Sequence, residues 1–158
     1  MGALLESGMV GNIGLKHLKV IKEDTNGGQT LAVKHGISKL MEDGVKDLLQ
    51  IPGDVPMVTP QEIQQVVSGH LPAPSMTIVP ARDRMGSNCI ACSPPNSVPL
   101  QFGNNSFSPH LKAAQNLGIT PTVIPLPGLG LDIDTKADLF ELLKFTSNTE
   151  SHKYLVKS

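Results

Sequence analysis

Short apolar runs alternate along the chain with longer stretches in which apolar residues recur every three or four positions. In the stretch Gln29–Asp43, for example, Val33, Ile37, Leu40 and Met41 fall on one stripe of a helix. The same reasoning predicts strands at Leu18–Ile21, Leu48–Ile51, Ser75–Val79, Cys89–Cys92 and Ile119–Ile124, and further helices at 59–68, at 108–117 and from Thr135 onward. Strands that alternate with helices predict an α/β fold, a three-layer sandwich around a mostly parallel sheet.

Two of the predicted helices begin with capping residues. Thr59 is a good N-cap, Pro60 suits the first helical position, and Glu62 stands where a capping box places its carboxylate. Thr135 and Asp138 are spaced in the same way before the last helix. The polar tail, 147–158, is expected to be frayed.

The length of 158 residues favours a single domain, 1–158, and the composition predicts a core built from aliphatic side chains. Thirteen Lys and Arg residues against fourteen Asp and Glu residues give a net charge of −1, without the basic run of a nucleic-acid-binding protein. With four Phe, one Tyr and no Trp, the chain also lacks a platform for stacking bases. No apolar stretch is long enough for a membrane span and the start does not resemble a signal peptide, so a cytoplasmic protein is expected.

Acidic residues follow two apolar segments. Asp54 comes after the strand 48–51, and Asp132 and Asp134 follow Leu131. Ligands of open α/β sheets bind outside the carboxyl ends of the strands, and residues two apart in extended chain project to one face. Three carboxylates in one crevice repel each other unless a cation lies among them, which suggests Mg²⁺ or Mn²⁺. The alternatives are an ordinary turn at Asp54 and a helix cap at Asp134 or Thr135.

Four segments of the chain recur together, in this order, in one enzyme family. They are Ile51–Pro60 (IPGDVPMVTP), Asp83–Asn88 (DRMGSN), Gln101–Ser106 (QFGNNS) and Pro127–Leu139 (PGLGLDIDTKADL). The chain resembles the 2-phospho-L-lactate guanylyltransferases of coenzyme F-420 biosynthesis, from Val20 to Leu143. The resemblance implies a nucleotidyltransferase fold of the glycosyltransferase-A type. It also implies transfer of GMP from GTP to 2-phospho-L-lactate, phosphoenolpyruvate or 3-phosphoglycerate, with release of pyrophosphate.

By position, the resemblance implies that Asp54, Asp132 and Asp134 hold the divalent metals. It implies that Gly103 and Ser106 hold the phosphorylated acid while the 87–89 loop closes on it. Gly103 exposes its backbone N–H, and Ser106 begins a helix whose N-terminus favours anions. A plain N-cap at Ser106 is the alternative.

Two further sets of residues follow from the resemblance. Ser87 or the Cys89 backbone would replace a threonine hydroxyl that is common among the family members. Gly27, Gly28 and Thr30 would contact the nucleotide, although the two glycines are equally typical of the turn before a helix.

The chain departs from the family at its start, where the members carry a strand and a basic loop that grips the triphosphate. Nothing in this sequence matches that loop, so the domain is expected to be N-terminally truncated. A non-catalytic remnant that binds a phosphorylated acid or a partner chain is therefore the alternative function. An uncovered sheet edge would also favour association, as a homodimer for example.

Cys89 and Cys92 form a CxxC motif, which can mark a redox pair or half of a zinc site. The chain has no other cysteine, and residues three apart in a strand point to opposite faces. We therefore expect two buried thiols that do not meet. His110 is expected on a solvated helix face, with a phosphate contact as the alternative.

Overall fold

The computed structural model describes residues 20–23, 27–103, 105–144 and 149–157. Within these ranges the chain has an α/β structure with four strands and five helices. The strands are β1 (Leu48–Gln50), β2 (Ser75–Pro80), β3 (Ser87–Ser93) and β4 (Thr122–Val123). The helices are α1 (Gln29–Glu42), α2 (Pro60–Gly69), α3 (Phe107–Asn116), α4 (Lys136–Lys144) and α5 (Glu150–Lys157).

The four strands form one mixed sheet in the order β1-β3-β2-β4. Both β1 and β2 pair antiparallel with β3, whereas β2 and β4 pair in parallel. The prediction of a mostly parallel sheet is therefore wrong. Residues 81–86 join β2 to β3 and are too few for a parallel crossover, which takes about a dozen residues or more, so the chain reverses in a hairpin.

This arrangement decides which chain ends meet at one edge of the sheet. Because β1 and β2 are both antiparallel to β3, and β4 is parallel to β2, the strands β1, β2 and β4 all point the same way. Their carboxyl ends lie at the same edge as the amino end of β3. The segments after β1 and β4 therefore come close to the start of β3, although they are far apart in sequence.

The core lies on both faces of the sheet. On one face α1 and α3 pack on β2 and β3 through Val33, Ile37, Met76, Ile78, Ile90, Cys92, Phe107 and Ala114. On the other face α2 and the segment after β4 pack through Val66, Val79, Cys89, Ala91, Leu126 and Leu129. Every residue of β2 and β3 is buried, as expected for strands that are covered on both sides.

Several predicted elements differ in extent. The strand predicted over 89–92 begins at Ser87, and the one predicted over 119–124 is reduced to Thr122–Val123. The prediction over 18–21 lies partly outside the described residues, and Val20 and Ile21 belong to no strand. The tail contains the helix α5, which the sequence did not predict. None of the described helices is long and apolar enough to cross a membrane.

The helix starts confirm one predicted capping box and revise the other. Thr135 and Asp138 exchange hydrogen bonds, with the Thr135 N–H donating to Oδ2 of Asp138 at 2.8 Å and the Asp138 N–H donating to the threonine Oγ1 at 3.4 Å. At α2, Oγ1 of Thr59 accepts from the Glu62 N–H at 3.2 Å, as predicted. The carboxylate of Glu62 instead turns away from the cap and binds a distant loop.

Candidate active site

A cleft of about 640 Å³ opens at the edge of the sheet where β1, β2 and β4 end and β3 begins. Two sets of residues predicted from the sequence line it. We call Asp54, Asp132 and Asp134 the acidic set, and Ser87, Gly103 and Ser106 the serine set. The fold thus brings six predicted site residues together from loops that are as many as 80 positions apart.

Backbone hydrogen bonds hold the acidic set in place. The N–H of Ile133 donates to the carbonyl oxygen of Asp54 at 3.1 Å and so ties the two acidic loops together. Between Asp132 and Asp134, Ile133 does not line the cleft, in agreement with the predicted alternation. The loop before Asp132 is held by Arg82, whose backbone N–H donates to the carbonyl oxygen of Gly130 at 2.8 Å.

The carboxylates of the acidic set affect one another. Partial burial, followed by the charges of Asp132 and Asp54, raises the pKa of Asp134 above its ordinary value. This repulsion and the hard oxygen donors suit a divalent cation by chemical type. Among the described residues, however, no three carboxylate, imidazole or thiol side chains are grouped closely enough to hold one ion. A cation would therefore have to draw the carboxylates together.

Arg82 is the one basic residue among the described residues that line the cleft, and it is already engaged. Its guanidinium forms ion pairs with Asp138 at 3.6 Å and with Glu141 at 3.0 Å. The pKa of Asp138 is lowered chiefly by its hydrogen bond from the Thr135 hydroxyl, with a contribution from Arg82. Arg82 thus fastens α4 to the end of β2, and it does not balance the acidic set.

The serine set lies where β3 and α3 begin. In the pairing of β2 with β3, Val79 faces Cys89 and Pro80 faces Ser87, which leaves Asn88 as the extra residue of a β-bulge. The consecutive residues Ser87 and Asn88 both line the cleft. Asn88 is buried, and its Nδ2 has no acceptor within the described part of the chain.

Gly103 and Ser106 occupy the loop that leads into α3. Gly103 has a φ of +140°, a conformation that strongly favours glycine, and nothing in the described chain lies within 4 Å of where a Cβ would be. Ser106 stands at the N-cap position, but its side chain makes no capping hydrogen bond. Its hydroxyl donates to Oγ of Ser87 at 3.3 Å. The plain N-cap alternative for Ser106 is therefore wrong.

His110 is buried behind the serine set and contacts Ser87. It is 1% exposed, so the prediction of a solvated helix face is wrong. Its Nδ1 lies 2.9 Å from Oγ of Ser87, and its Nε2 accepts from the N–H of Gln101 at 2.9 Å. Burial lowers the pKa of the imidazole to about 4. The edge of the ring also packs against Phe102, with 5.3 Å between ring centroids.

Four predicted site residues do not line the cleft. Cys89 is fully buried in the core cluster with Val79, and burial raises the pKa of its thiol to about 12. Cys92 packs on the other face of the sheet, where burial raises its thiol pKa to about 11, so the two sulfurs do not meet, as predicted.

The three residues predicted to contact the nucleotide do not line the cleft, and two of them contact other parts of the protein. Gly27 closely approaches Leu31, and Gly28 precedes α1 with a φ of +82°. The hydroxyl of Thr30 bonds both the N–H and the carbonyl of Phe102, at 2.9 and 3.2 Å. Through these bonds Thr30 holds the Phe102–Gly103 loop against α1.

The sequence analysis gave no individual role to Arg82 or Asn88, although Asn88 falls within the predicted 87–89 loop, and it preferred a solvated position for His110. His110 had a detectable signal, since it lies three positions after Phe107 and four before Ala114 and so falls on the apolar stripe of α3. For Asn88 the family motif marked the loop, but its place in a β-bulge depends on pairing that the sequence does not reveal. Arg82 becomes important only through α4, which is distant in the chain.

Comparisons with known proteins show the family to which the chain belongs. A family model described as "Guanylyl transferase CofC like" matches residues 10–158. A phosphoenolpyruvate guanylyltransferase from Rubrobacter xylanophilus is 31% identical over 115 residues, which is 73% of this chain and 56% of that protein. A 3-phospho-D-glycerate guanylyltransferase from Colwellia psychrerythraea is 34% identical over 125 residues, covering 79% and 59%. A 2-phospho-L-lactate guanylyltransferase from Methanobrevibacter smithii is 27% identical over 139 residues, covering 88% and 60%. The chain thus spans between 56% and 60% of the length of these relatives.

Proposed function

The chain belongs to the guanylyl transferase CofC-like family, and from this membership we propose that it transfers GMP from GTP to a small phosphorylated acid. The acid is one of the three-carbon class that the relatives' names contain: phosphoenolpyruvate, 3-phosphoglycerate or 2-phospho-L-lactate. The observation that carries the proposal is the meeting of the acidic set and the serine set on one cleft. One set suits cations, and the other presents backbone and hydroxyl groups to an anion.

In the proposed reaction, a phosphate oxygen of the acid attacks the α-phosphorus of GTP. A new P–O bond forms, the bond between the α-phosphorus and the bridging oxygen to the β-phosphate breaks, and pyrophosphate leaves with the electron pair. The acceptor phosphate is already ionised near neutral pH, so the step needs no general base. Positioning and charge stabilisation then account for the catalysis.

The serine set would position the acid. The N-terminus of α3 and the open backbone at Gly103 favour an anion, and a hydroxyl of Ser87 or Ser106 can donate to it. Burial of Asn88 near these groups adds an amide donor that has no acceptor in the described structure. Such donors act most strongly where water is excluded.

Asp54, Asp132 and Asp134 would hold Mg²⁺ or Mn²⁺. The ions, when bound, would neutralise the phosphates of both substrates and the charge that develops at the α-phosphorus. The need for them follows from charge: the cleft has an excess of carboxylates, its one basic lining residue in the described chain is paired, and both proposed substrates are anions.

Membership of the family also supports a nucleotidyltransferase fold of the glycosyltransferase-A type and a place in coenzyme F-420 biosynthesis. Both remain proposals, as do the cytoplasmic location and the homodimer. Contacts of Gly27, Gly28 and Thr30 with the nucleotide stay a prediction from the resemblance, and these three residues do not line the cleft. Gln29, between Gly28 and Thr30, does line it and is a further candidate for a contact from α1.

The test is an assay of the chain with GTP, Mg²⁺ and each of the three acids, in which pyrophosphate and the guanylylated acid are measured by mass spectrometry. We expect product with one of the acids and its loss in Asp132→Asn. Glu42→Gln is the matched control, because it removes one negative charge from the exposed far end of α1.

The outcomes separate the proposal from its alternative. Binding of an acid without any product would favour a non-catalytic protein that binds a phosphorylated acid. Neither binding nor product with any of the three acids would overturn the proposed function. Equal loss of activity in Glu42→Gln and Asp132→Asn would show that the acidic set has no special part.

A further inference from the structure

His110 connects a backbone N–H with the hydroxyl pair of the serine set. Its Nε2 lies 2.9 Å from the backbone nitrogen of Gln101, and its Nδ1 lies 2.9 Å from Oγ of Ser87. Ser87 in turn lies 3.3 Å from Oγ of Ser106. The three side chains are all buried, and both serines line the cleft.

The partner of Nε2 fixes the protonation of the ring. A backbone N–H only donates, so Nε2 must be the unprotonated acceptor. The ring is neutral near pH 7, since burial lowers its pKa to about 4. The single ring proton of His110 therefore lies on Nδ1 and points to Oγ of Ser87.

Counting the protons in the hydrogen bonds that join His110, Ser87 and Ser106 leaves one hydroxyl proton free to be donated into the cleft. The two serine hydroxyls carry two protons, and one of these lies in the hydrogen bond between Ser106 and Ser87. Oγ of Ser87 also accepts a hydrogen bond from the Nδ1–H of His110. One O–H of the pair thus remains without an acceptor in the described part of the chain, at a position that lines the cleft.

We propose that His110 is a positioning residue that holds the Ser87–Ser106 pair as a hydrogen-bond donor to an anionic oxygen of the phosphorylated acid. This role rests on the proposed function. An oxygen of a phosphate or carboxylate only accepts, so it satisfies the remaining O–H of the serine pair. The histidine thereby helps to hold a hydrogen-bond donor for an anionic oxygen in a cleft that carries excess negative charge.

Two substitutions separate this role from simple packing. In His110→Asn, the side-chain amide nitrogen can take the place of Nδ1 and donate to Ser87, but the side chain is too short to reach Gln101. In His110→Gln, the amide oxygen can take the place of Nε2 and accept from Gln101, but no donor remains for Ser87. The first variant keeps the donor to the serine pair, and the second keeps the backbone bond.

The experiment measures the melting temperature and calorimetric binding of the three acids, with Mg²⁺, for the wild type, both variants and Ser87→Ala. A hydrogen bond to a charged group is strong enough to change affinity by roughly tenfold or more. We expect His110→Gln to lose roughly tenfold in affinity for the acid, as Ser87→Ala does, while His110→Asn stays within about threefold of the wild type. Melting temperature should follow a different order, with His110→Asn below His110→Gln.

Nitrogen NMR of the imidazole tests the tautomer without any ligand. We expect a neutral ring with the proton on Nδ1 near pH 7. A proton on Nε2, a charged ring, or affinities that simply follow melting temperature would overturn the role of His110, even if the wild type binds an acid. If the wild type binds none of the three acids, the proposed function fails, and with it the ligand named for this donor.

Discussion

The carboxylate of Glu62 accepts a hydrogen bond from the backbone N–H of Gly128, 66 positions later in the chain, at a distance of 2.7 Å. Its second oxygen accepts from the N–H of Leu129 at 3.1 Å. The side chain is buried between α2 and the loop after β4. A single acidic residue on the first turn of α2 thus anchors the loop that leads into Asp132.

Glu62→Gln should destabilise the protein although it preserves the shape of the side chain. One carboxylate oxygen becomes an NH₂ group that faces a backbone N–H, so a buried donor loses its acceptor. Hydrogen bonds to charged groups are worth about 1.5–3 kcal/mol each, so we expect the free energy of unfolding to fall by about 2–3 kcal/mol. Urea denaturation measures it, with the exposed Glu42→Gln as control; a change of less than about 0.5 kcal/mol in Glu62→Gln would contradict the anchoring role.

Gly128→Ala should have an effect of similar size at the same contact. A Cβ there would lie well inside van der Waals contact with the Met57 carbonyl oxygen and the Glu62 carboxylate. Because a backbone atom cannot give way easily, we expect a loss of about 1–3 kcal/mol. Gly53→Ala is the matched control, since nothing in the described chain lies within 4 Å of its Cβ position. Equal melting temperatures for the two variants would show that the loop can move away.

Asp54→Asn and Asp132→Asn should weaken Mn²⁺ or Mg²⁺ binding while leaving the fold intact, because both side chains line the cleft and neither is in the core. Removal of a residue that hydrogen-bonds to a metal ligand commonly lowers the affinity for the metal by about tenfold to a hundredfold. Removal of a ligand itself should therefore lower the affinity by roughly tenfold or more. Calorimetric titration of both variants and of Glu42→Gln gives the comparison. Unchanged affinity in the two aspartate variants would remove the metal assignment.

Stability should fall in acid partly because of His110. Its pKa in the folded protein, about 4, lies below the ordinary value of 6.5, so between these pH values the unfolded chain binds more protons than the folded one. Folding free energy from this group is therefore fully present above about pH 6.5 and is lost as the pH falls toward about 4. Urea unfolding near pH 7 and near pH 5 should show a larger loss in the wild type than in His110→Gln, whose side chain does not titrate. Parallel losses would mean that other groups cause the dependence.

The sequence was sufficient to predict the features that depend on short spacing. The alternation of Asp132 and Asp134 and the reciprocal cap of Thr135 and Asp138 need only a few neighbouring residues, and both are present in the structure. The serine set was predicted through a family resemblance carried by short motifs. The alternation and the cap are local patterns, which chain geometry fixes almost alone, whereas the serine set could be predicted only from the resemblance.

Features that depend on distant partners were not predicted. Glu62 has the spacing of a capping box, but two buried N–H groups from the loop after β4 compete for its carboxylate. The direction of β3 is invisible in its apolar pattern, because a fully buried strand has the same composition whichever way it runs. The length of the connection 81–86 was the available signal for a hairpin.

The placement of Cys89 and Cys92 on opposite faces of the sheet makes each thiol a reporter for one side of the protein. Both are buried and, with raised pKa values, react with thiol reagents only when their surroundings open. Labelling of Cys89 therefore follows opening of the layer that contains α2, and labelling of Cys92 follows opening of the layer that contains α1 and α3. With one cysteine replaced by alanine at a time, the rates of modification would compare the local stability of the two layers beside the cleft, and no cysteine would have to be introduced.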